Sequence, residues 1–121
     1  MTPLDAQSGL LARLMDAAAM RHRVVSHNIA NLNTPGYHSR EVRFEEQLAK
    51  VMQSTRGPGD VAGDIEPIMQ ESQNVRARAD GNTVDLDREA GELQRTALLF
   101  QTYTQILQAR LGMMRRAMEG R

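Results

Sequence analysis

The chain has 121 residues, 15 basic against 15 acidic side chains and no cysteine. That makes one modest domain, with no disulfide or thiolate chemistry and no net field for nucleic acid or an anionic membrane. With no Trp, two Phe, two Tyr and eight Met, its apolar character rests on Leu, Ala, Val and Met, which suits long helices better than a sandwich or barrel.

Residues 1–34 read as a first long helix, from about Leu4 to Leu32. Leu4, Leu11, Ala18, Val25 and Leu32 are seven apart, and Leu14 and Ile29 fill the three-and-four spacing of a heptad seam. Leu10, Ala17 and Val24 add a neighbouring row, while Arg21 and Asn28 interrupt the seam and would fix its register. Asp5 early and Arg13 inside the apolar run exclude the basic-then-apolar order of a cleaved secretory signal. No stretch approaches the ~20 apolar residues of a transmembrane helix. The helix ends in Ser26-His-Asn-Ile-Ala-Asn-Leu-Asn-Thr-Pro-Gly-Tyr37. Asn33 suits a left-handed cap, Thr34 is pushed out of the helical region by Pro35, and Pro35-Gly36 supplies the centre of a type II turn. Asn28 and Asn31 are placed to bond nearby backbone.

Residues 35–84 form an irregular middle segment. Within it, residues 44–53 read as a short amphipathic helix with Phe44, Leu48 and Val51 or Met52 on one face, suited to covering the long helices. Thr55 to Asp64, rich in Gly and Pro, reads as a loop. Ile65 to Met69 is a short extended candidate weakened by Pro67, and Val75 to Val84 is a candidate hairpin around Asp80-Gly81.

Residues 85–121 hold the longest periodic run. Leu86, Leu93, Phe100, Leu107 and Met114 fall seven apart, with Ala90, Ala97, Thr104, Leu111 and Met118 completing the heptad. A helix from Leu86 to Met118 would be ~50 Å long, with acidic Asp85, Asp87 and Glu89 at its start and Arg110, Arg115 and Arg116 at its end, both suited to the helix dipole. Leu99, Ile106 and Met113 form another apolar row, with Tyr103 between it and the seam. Together they widen the apolar arc to roughly 160° at 100° per residue. A two-helix hairpin needs only the narrow seam, so Leu99, Tyr103, Ile106 and Met113 are a candidate inter-subunit face.

Chemistry is sparse. His22 and His27 lie on different helix faces and His38 stands apart, so no metal set is formed, and the acidic group Asp80, Asp85, Asp87 and Glu89 lacks Ca²⁺-loop spacing. No phosphate loop, dinucleotide fingerprint or nucleophile elbow is present, so neither catalysis, a cofactor nor a small-molecule substrate is expected.

Asn28, Ile29, Ala30, Asn31, Thr34, Pro35, Gly36 and Tyr37, with Ser26 two residues ahead, resemble the signature of the axial proteins of the bacterial flagellum, the rod and hook family. Asp80-Gly-Asn-Thr-Val-Asp-Leu-Asp-Arg-Glu89 resembles the segment before the C-terminal helix in the B-type branch of the proximal rod proteins. The resemblance implies a basal-body rod subunit spanning the periplasm, exported by the flagellar type III apparatus without a cleaved signal peptide. It implies as partners copies of itself, the C-type proximal rod protein, the rod-to-ring adaptor and the inner-membrane ring protein, and no nucleic acid. Phe44-x-x-x-Leu48 fits the pattern such subunits show to the export gate. The expected fold is all-α: two long terminal helices form an antiparallel coiled-coil hairpin through Leu11, Leu14, Ala18, Val25, Ile29 and Leu32 against Leu86, Leu93, Ala97, Phe100, Leu107, Leu111, Met114 and Met118. The alternative is a free-standing helical adaptor or export-chaperone-like binding module, which explains the heptads but not the Asn-Ile-Ala-Asn turn.

Overall fold

The computed structural model describes residues 3–53 and 66–120, with side chains from residue 7 onward. Its elements, in order, are helix α1 (Pro3–Ala30), strand β1 (Arg40–Arg43), helix α2 (Glu45–Gln53), strand β2 (Ile68–Glu71) and helix α3 (Leu86–Met118). The chain is mostly helical, with a single two-stranded sheet among the described residues.

The two long helices lie side by side. Asn28 near the end of α1 bonds Glu89 near the start of α3, while Ala18 and Phe100 line one shallow groove further along. The two helices therefore run antiparallel. Helix α3 occupies the span its periodicity predicts, and Asp85 caps it: the carboxylate accepts from the backbone N–H of Asp87 at 3.0 Å and of Arg88 at 3.4 Å. Helix α1 stops at Ala30, two residues before the expected end.

Helix α1 is buried on two sides. Leu11, Ala18 and Val25 are buried at seven-residue spacing, and Ala18 meets Thr96 and Ala97 of α3 across the groove. The row one position back, Ala17 and Val24, joins Val42 of β1, Phe44 and Val51 of α2 in the apolar core, with Leu10, Leu14, Met20 and Leu48 packed around it. The short helix thus covers α1, as its amphipathic pattern predicts. Burying a side chain such as Phe44 contributes about 1.5–3 kcal/mol.

The middle segment departs from expectation in two places. The sheet pairs Arg40 with Glu71 and Arg43 with Ile68, antiparallel, so a strand forms where no regular structure is expected. Val75 to Val84, the expected hairpin, makes a tight turn instead of paired strands: Gly81 N–H donates to the Arg78 carbonyl and Arg78 N–H to the Asn82 carbonyl, both at 2.9 Å. Gly81 takes φ +82° there, a conformation only glycine adopts freely. The cause of both differences is long-range bonding: β1 pairs with a strand some 25 residues away rather than a sequence neighbour, and Asp80, Asn82 and Thr83 bond to residues 31–37 rather than across a hairpin. The loop expected over Thr55 to Asp64 lies outside the described residues.

Candidate functional site

The two stretches that carry the family resemblance are the two halves of one junction. After Ala30 the chain tightens through successive three-residue turns, with Asn31 N–H bonded to the Asn28 carbonyl at 3.2 Å, Leu32 to Ile29 at 3.1 Å and Thr34 to Asn31 at 3.1 Å. Thr34-Pro35-Gly36-Tyr37 then forms the expected type II turn, closed by Tyr37 N–H to the Thr34 carbonyl at 3.3 Å with Gly36 at φ +72°. The carbonyls freed at the helix end are taken by Asn82. Its Nδ2 lies 2.9 Å from the Asn31 carbonyl, 3.1 Å from Leu32 and 2.8 Å from Thr34, while its Oδ1 accepts from Val84 N–H at 2.7 Å. Arg78 also donates to the Leu32 carbonyl. This is why Asn33 is not a left-handed cap: only Asn74, among the described non-glycine residues, has positive φ, and a side chain from across the junction does the work a reversed cap would do.

Asn28 is the second clasp. It is fully buried and uses its whole amide: Nδ2 donates to the Arg40 carbonyl at 2.7 Å and to Glu89 Oε2 at 3.1 Å, and Oδ1 accepts from Arg40 N–H at 3.0 Å and the Tyr37 hydroxyl at 3.2 Å. Its bonds are therefore long-range, tying α1 to β1 and α3, whereas Asn31 stays local, donating to the His27 carbonyl at 2.8 Å and accepting from Thr34 at 3.1 Å. Backbone bonds from Gly36 N–H to Asp80 and from Thr83 N–H to Tyr37, at 2.9 and 3.0 Å, complete the seam. Ile29 is half-buried beside it; Ala30, Thr34 and Pro35 are exposed.

Two turns back on α1, buried Arg21 donates to the Val42 carbonyl at 2.7 Å, pairs with Glu45 at 2.6 Å and lies 4.7 Å from the Phe44 ring centre. Burial pushes the Glu45 carboxyl up, but the hydrogen bond from Arg21, the backbone N–H groups of Glu45 and Phe44 and the Arg21 charge outweigh it and hold the carboxyl below its usual range. Phe44 is 4 % exposed and Leu48 half-buried, so both residues of the expected gate motif sit in the folded core.

Along α3, Glu89 and Thr96 are buried, with Leu93, Leu99, Tyr103, Leu107, Arg110 and Met114 half-buried. At 100° per residue these define a line through the middle of the apolar arc. Both flanks stay open. Of the expected seam, Leu86, Phe100, Leu111 and Met118 are 47, 40, 51 and 87 % exposed on one side. Of the expected inter-subunit row, Ile106 and Met113 are 41 and 49 % exposed on the other, whereas Leu99 and Tyr103 are half-buried. The heptad count tracks apolar residues and does not register the buried Asn28–Glu89 pair, which sets Glu89 against α1, with Thr96 two turns on beside Ala18.

Among the described residues no group of three or more His, Cys, Asp or Glu is placed to hold a metal, and no helix is long and apolar enough to cross a membrane. Nothing in this arrangement activates a nucleophile. What it does is fix two long helices at one end and leave an apolar surface along one of them.

A family model described as flagella basal body rod protein matches residues 11–38, most of α1 and the turn that ends it. The chain is 32% identical to flagellar basal body rod protein FlgB of Escherichia coli (strain K12) over 92% of each chain. It is 30% identical to FlgB of Salmonella typhimurium, over 97% of this chain and 96% of the relative, and 28% identical to FlgB of Cereibacter sphaeroides over 99% of each. The fold, the junction and these relatives define the class as the flagellar rod proteins, which are structural proteins and not enzymes. Within that class, the chain belongs to the FlgB family.

Proposed function

We propose that the chain is a structural subunit of the proximal rod of the flagellar basal body, polymerising through its terminal helices into the drive shaft that transmits motor torque and houses the export channel. The observation that carries the reading beyond family membership is the state of α3. Its partner α1 covers the centre of the apolar arc, and Leu86, Phe100, Leu111, Ile106 and Met113 remain at 40 to 51 % exposure on two flanks. Surfaces of that kind mark interaction sites. In the assembled rod they would be covered by neighbouring subunits, with the α1–α3 pair extended into a coiled-coil hairpin along Leu11, Leu14, Ala18, Val25, Ile29 and Leu32.

The partners this reading takes are copies of the chain, the C-type proximal rod protein, the rod-to-ring adaptor and the inner-membrane ring protein. Export would proceed through the flagellar type III apparatus without a cleaved signal peptide. Because Phe44 is buried in the fold, a gate that reads Phe44 and Leu48 would meet them in a chain whose α2 is undocked. Torque passes by helix packing, with no catalytic step.

The test is a pair of charge substitutions on the open flanks, Ile106→Asp and Leu111→Asp, in cells lacking the native copy. Both variants are expected to keep monomer helicity by circular dichroism, to be missing from isolated hook–basal-body complexes and to abolish swimming. Normal incorporation and swimming with both would overturn the assignment of these flanks. A discrete cytoplasmic dimer absent from basal bodies would instead support the adaptor reading.

A further inference from the structure

Glu89 is the only buried carboxylate among the described residues, 5 % exposed in the first turn of α3. Its one side-chain hydrogen bond there comes from Asn28 Nδ2 at 3.1 Å. A carboxylate has about four lone-pair sites, and here one amide donor serves one oxygen while the group borders a polar cleft, so its charge is only partly compensated. The cleft lies at the base of the helix pair, and among the described residues most of the other charged groups around it, Arg40 excepted, are engaged in ion pairs. From α1 and α2, Arg21 and Glu45 form a pair at 2.6 Å. From β1, Glu41 takes Arg88 of α3 at 3.2 Å, and Arg43 takes Glu46 at 3.4 Å. On α3 itself Arg95 takes Glu92 at 3.6 Å. Arg40 of β1 lines the same cleft, and its backbone, not an ion pair, is what Asn28 holds. Asp85 is committed to the cap.

We propose that Glu89 makes this junction a proton-gated clasp: protonated, it closes the α1–α3 base on Asn28, and ionised, it loosens that base with a buried charge. The neutral acid keeps an acceptor for Asn28 Nδ2 and loses the desolvation cost. The titration direction agrees. Burial pushes the Glu89 carboxyl above its usual range, and the charges of Glu92 and Asp85 add to this, against the opposing Asn28 bond and Arg88 charge. With the folded value above the unfolded one, the stabilisation is fully present below the unfolded value and is lost as pH rises through the folded one. Glu45 acts with the opposite sign, so the wild-type pH profile alone does not isolate the clasp, and a difference against a variant does.

The experiment uses the full chain. Thermal unfolding of Glu89→Gln and wild type is compared across pH; the variant is expected to have the higher Tm at neutral pH, with the difference vanishing below the carboxylate range near about pH 4. A difference of the same size at every pH, or a lower Tm for the variant at neutral pH, overturns the proposal. Carbon-13 titration of the Glu89 carboxyl in the wild type stands apart from any folding defect in the variant. A midpoint at or below the ordinary glutamate value of about 4.3 also overturns it. Gating is read in the chain's own geometry: because it has no cysteine, spin labels go cleanly at Ala12 and Ala109, both exposed. The distance distribution is expected to narrow on acidification, and a distribution indifferent to pH refutes the loosening.

Discussion

Two asparagines hold the base of this molecule, and they do so by different means. Asn82 replaces a helix cap, presenting two N–H groups to three carbonyls at 2.8 to 3.1 Å. Asn82→Ala leaves the Val84 N–H without its acceptor and removes one of two donors from each of the Asn31, Leu32 and Thr34 carbonyls, and an unmade buried bond costs roughly 1–3 kcal/mol. A loss of about 3 kcal/mol in urea unfolding is expected, with the m-value unchanged; a loss under ~1 kcal/mol would show that water replaces the amide. Asn28 bridges three elements with four bonds, so its isostere is the more informative change. Asn28→Asp sets a second carboxylate about 3 Å from Glu89 and removes both N–H donors. Like charges at that distance cannot both ionise. The variant is expected to lose on the order of 3–5 kcal/mol at neutral pH and to recover part of it in mild acid, where one shared proton bridges the pair. Equal destabilisation at both pH values would mean that the lost donors, not the charge, dominate.

At the scale of elements, the short helix α2 is a lid on α1, latched by Arg21. Phe44→Ala removes the largest apolar side chain of the core cluster, at an expected cost of about 3–5 kcal/mol. It should speed proteolysis within α2 before α1 or α3 is cut. The latch responds to acid. Glu45 is held below the usual carboxylate range in the folded chain, so the stability it supplies is present above the unfolded value and is lost as pH falls through the folded one. Glu45→Gln is expected to flatten that acid limb, measured as urea midpoint against pH, and a limb of unchanged slope would remove Glu45 from the account. The span of α3 and the lid role of α2 were legible in the sequence because each follows from local periodicity and capping. The strand Arg40–Arg43 was not, since Arg-Glu-Val-Arg offers one apolar residue and its partner lies beyond the next helix. Nor was the role of Asn82. Nothing in Gly-Asn-Thr says that its amide will face a helix end 50 residues earlier; only the joint presence of both family stretches pointed there.

The whole molecule is stiff at one end and thinly covered at the other. Around Asn28 and Glu89, α1, β1 and α3 meet, and the sheet and α2 stand behind α1. Because the helices run antiparallel, the C-terminal half of α3 faces the N-terminal half of α1, and Leu111, Met113 and Met118 are 49 to 87 % exposed there. A helix stabilised mainly by tertiary packing of its apolar face weakens where that face is wet. Local opening free energy should therefore fall along α3 from Thr96 toward Met118 in the isolated subunit. Native-state hydrogen exchange is expected to show slow amides over Ala17–Asn28 and Glu89–Thr96, and fast ones beyond Thr104. In the assembled rod the fast set should become slow, because docking on a neighbour supplies the contacts that offset the ordering entropy. Uniform protection of both long helices in the free subunit would mean that α1 alone suffices for α3. In that case the exposed flanks would have to be explained without assembly.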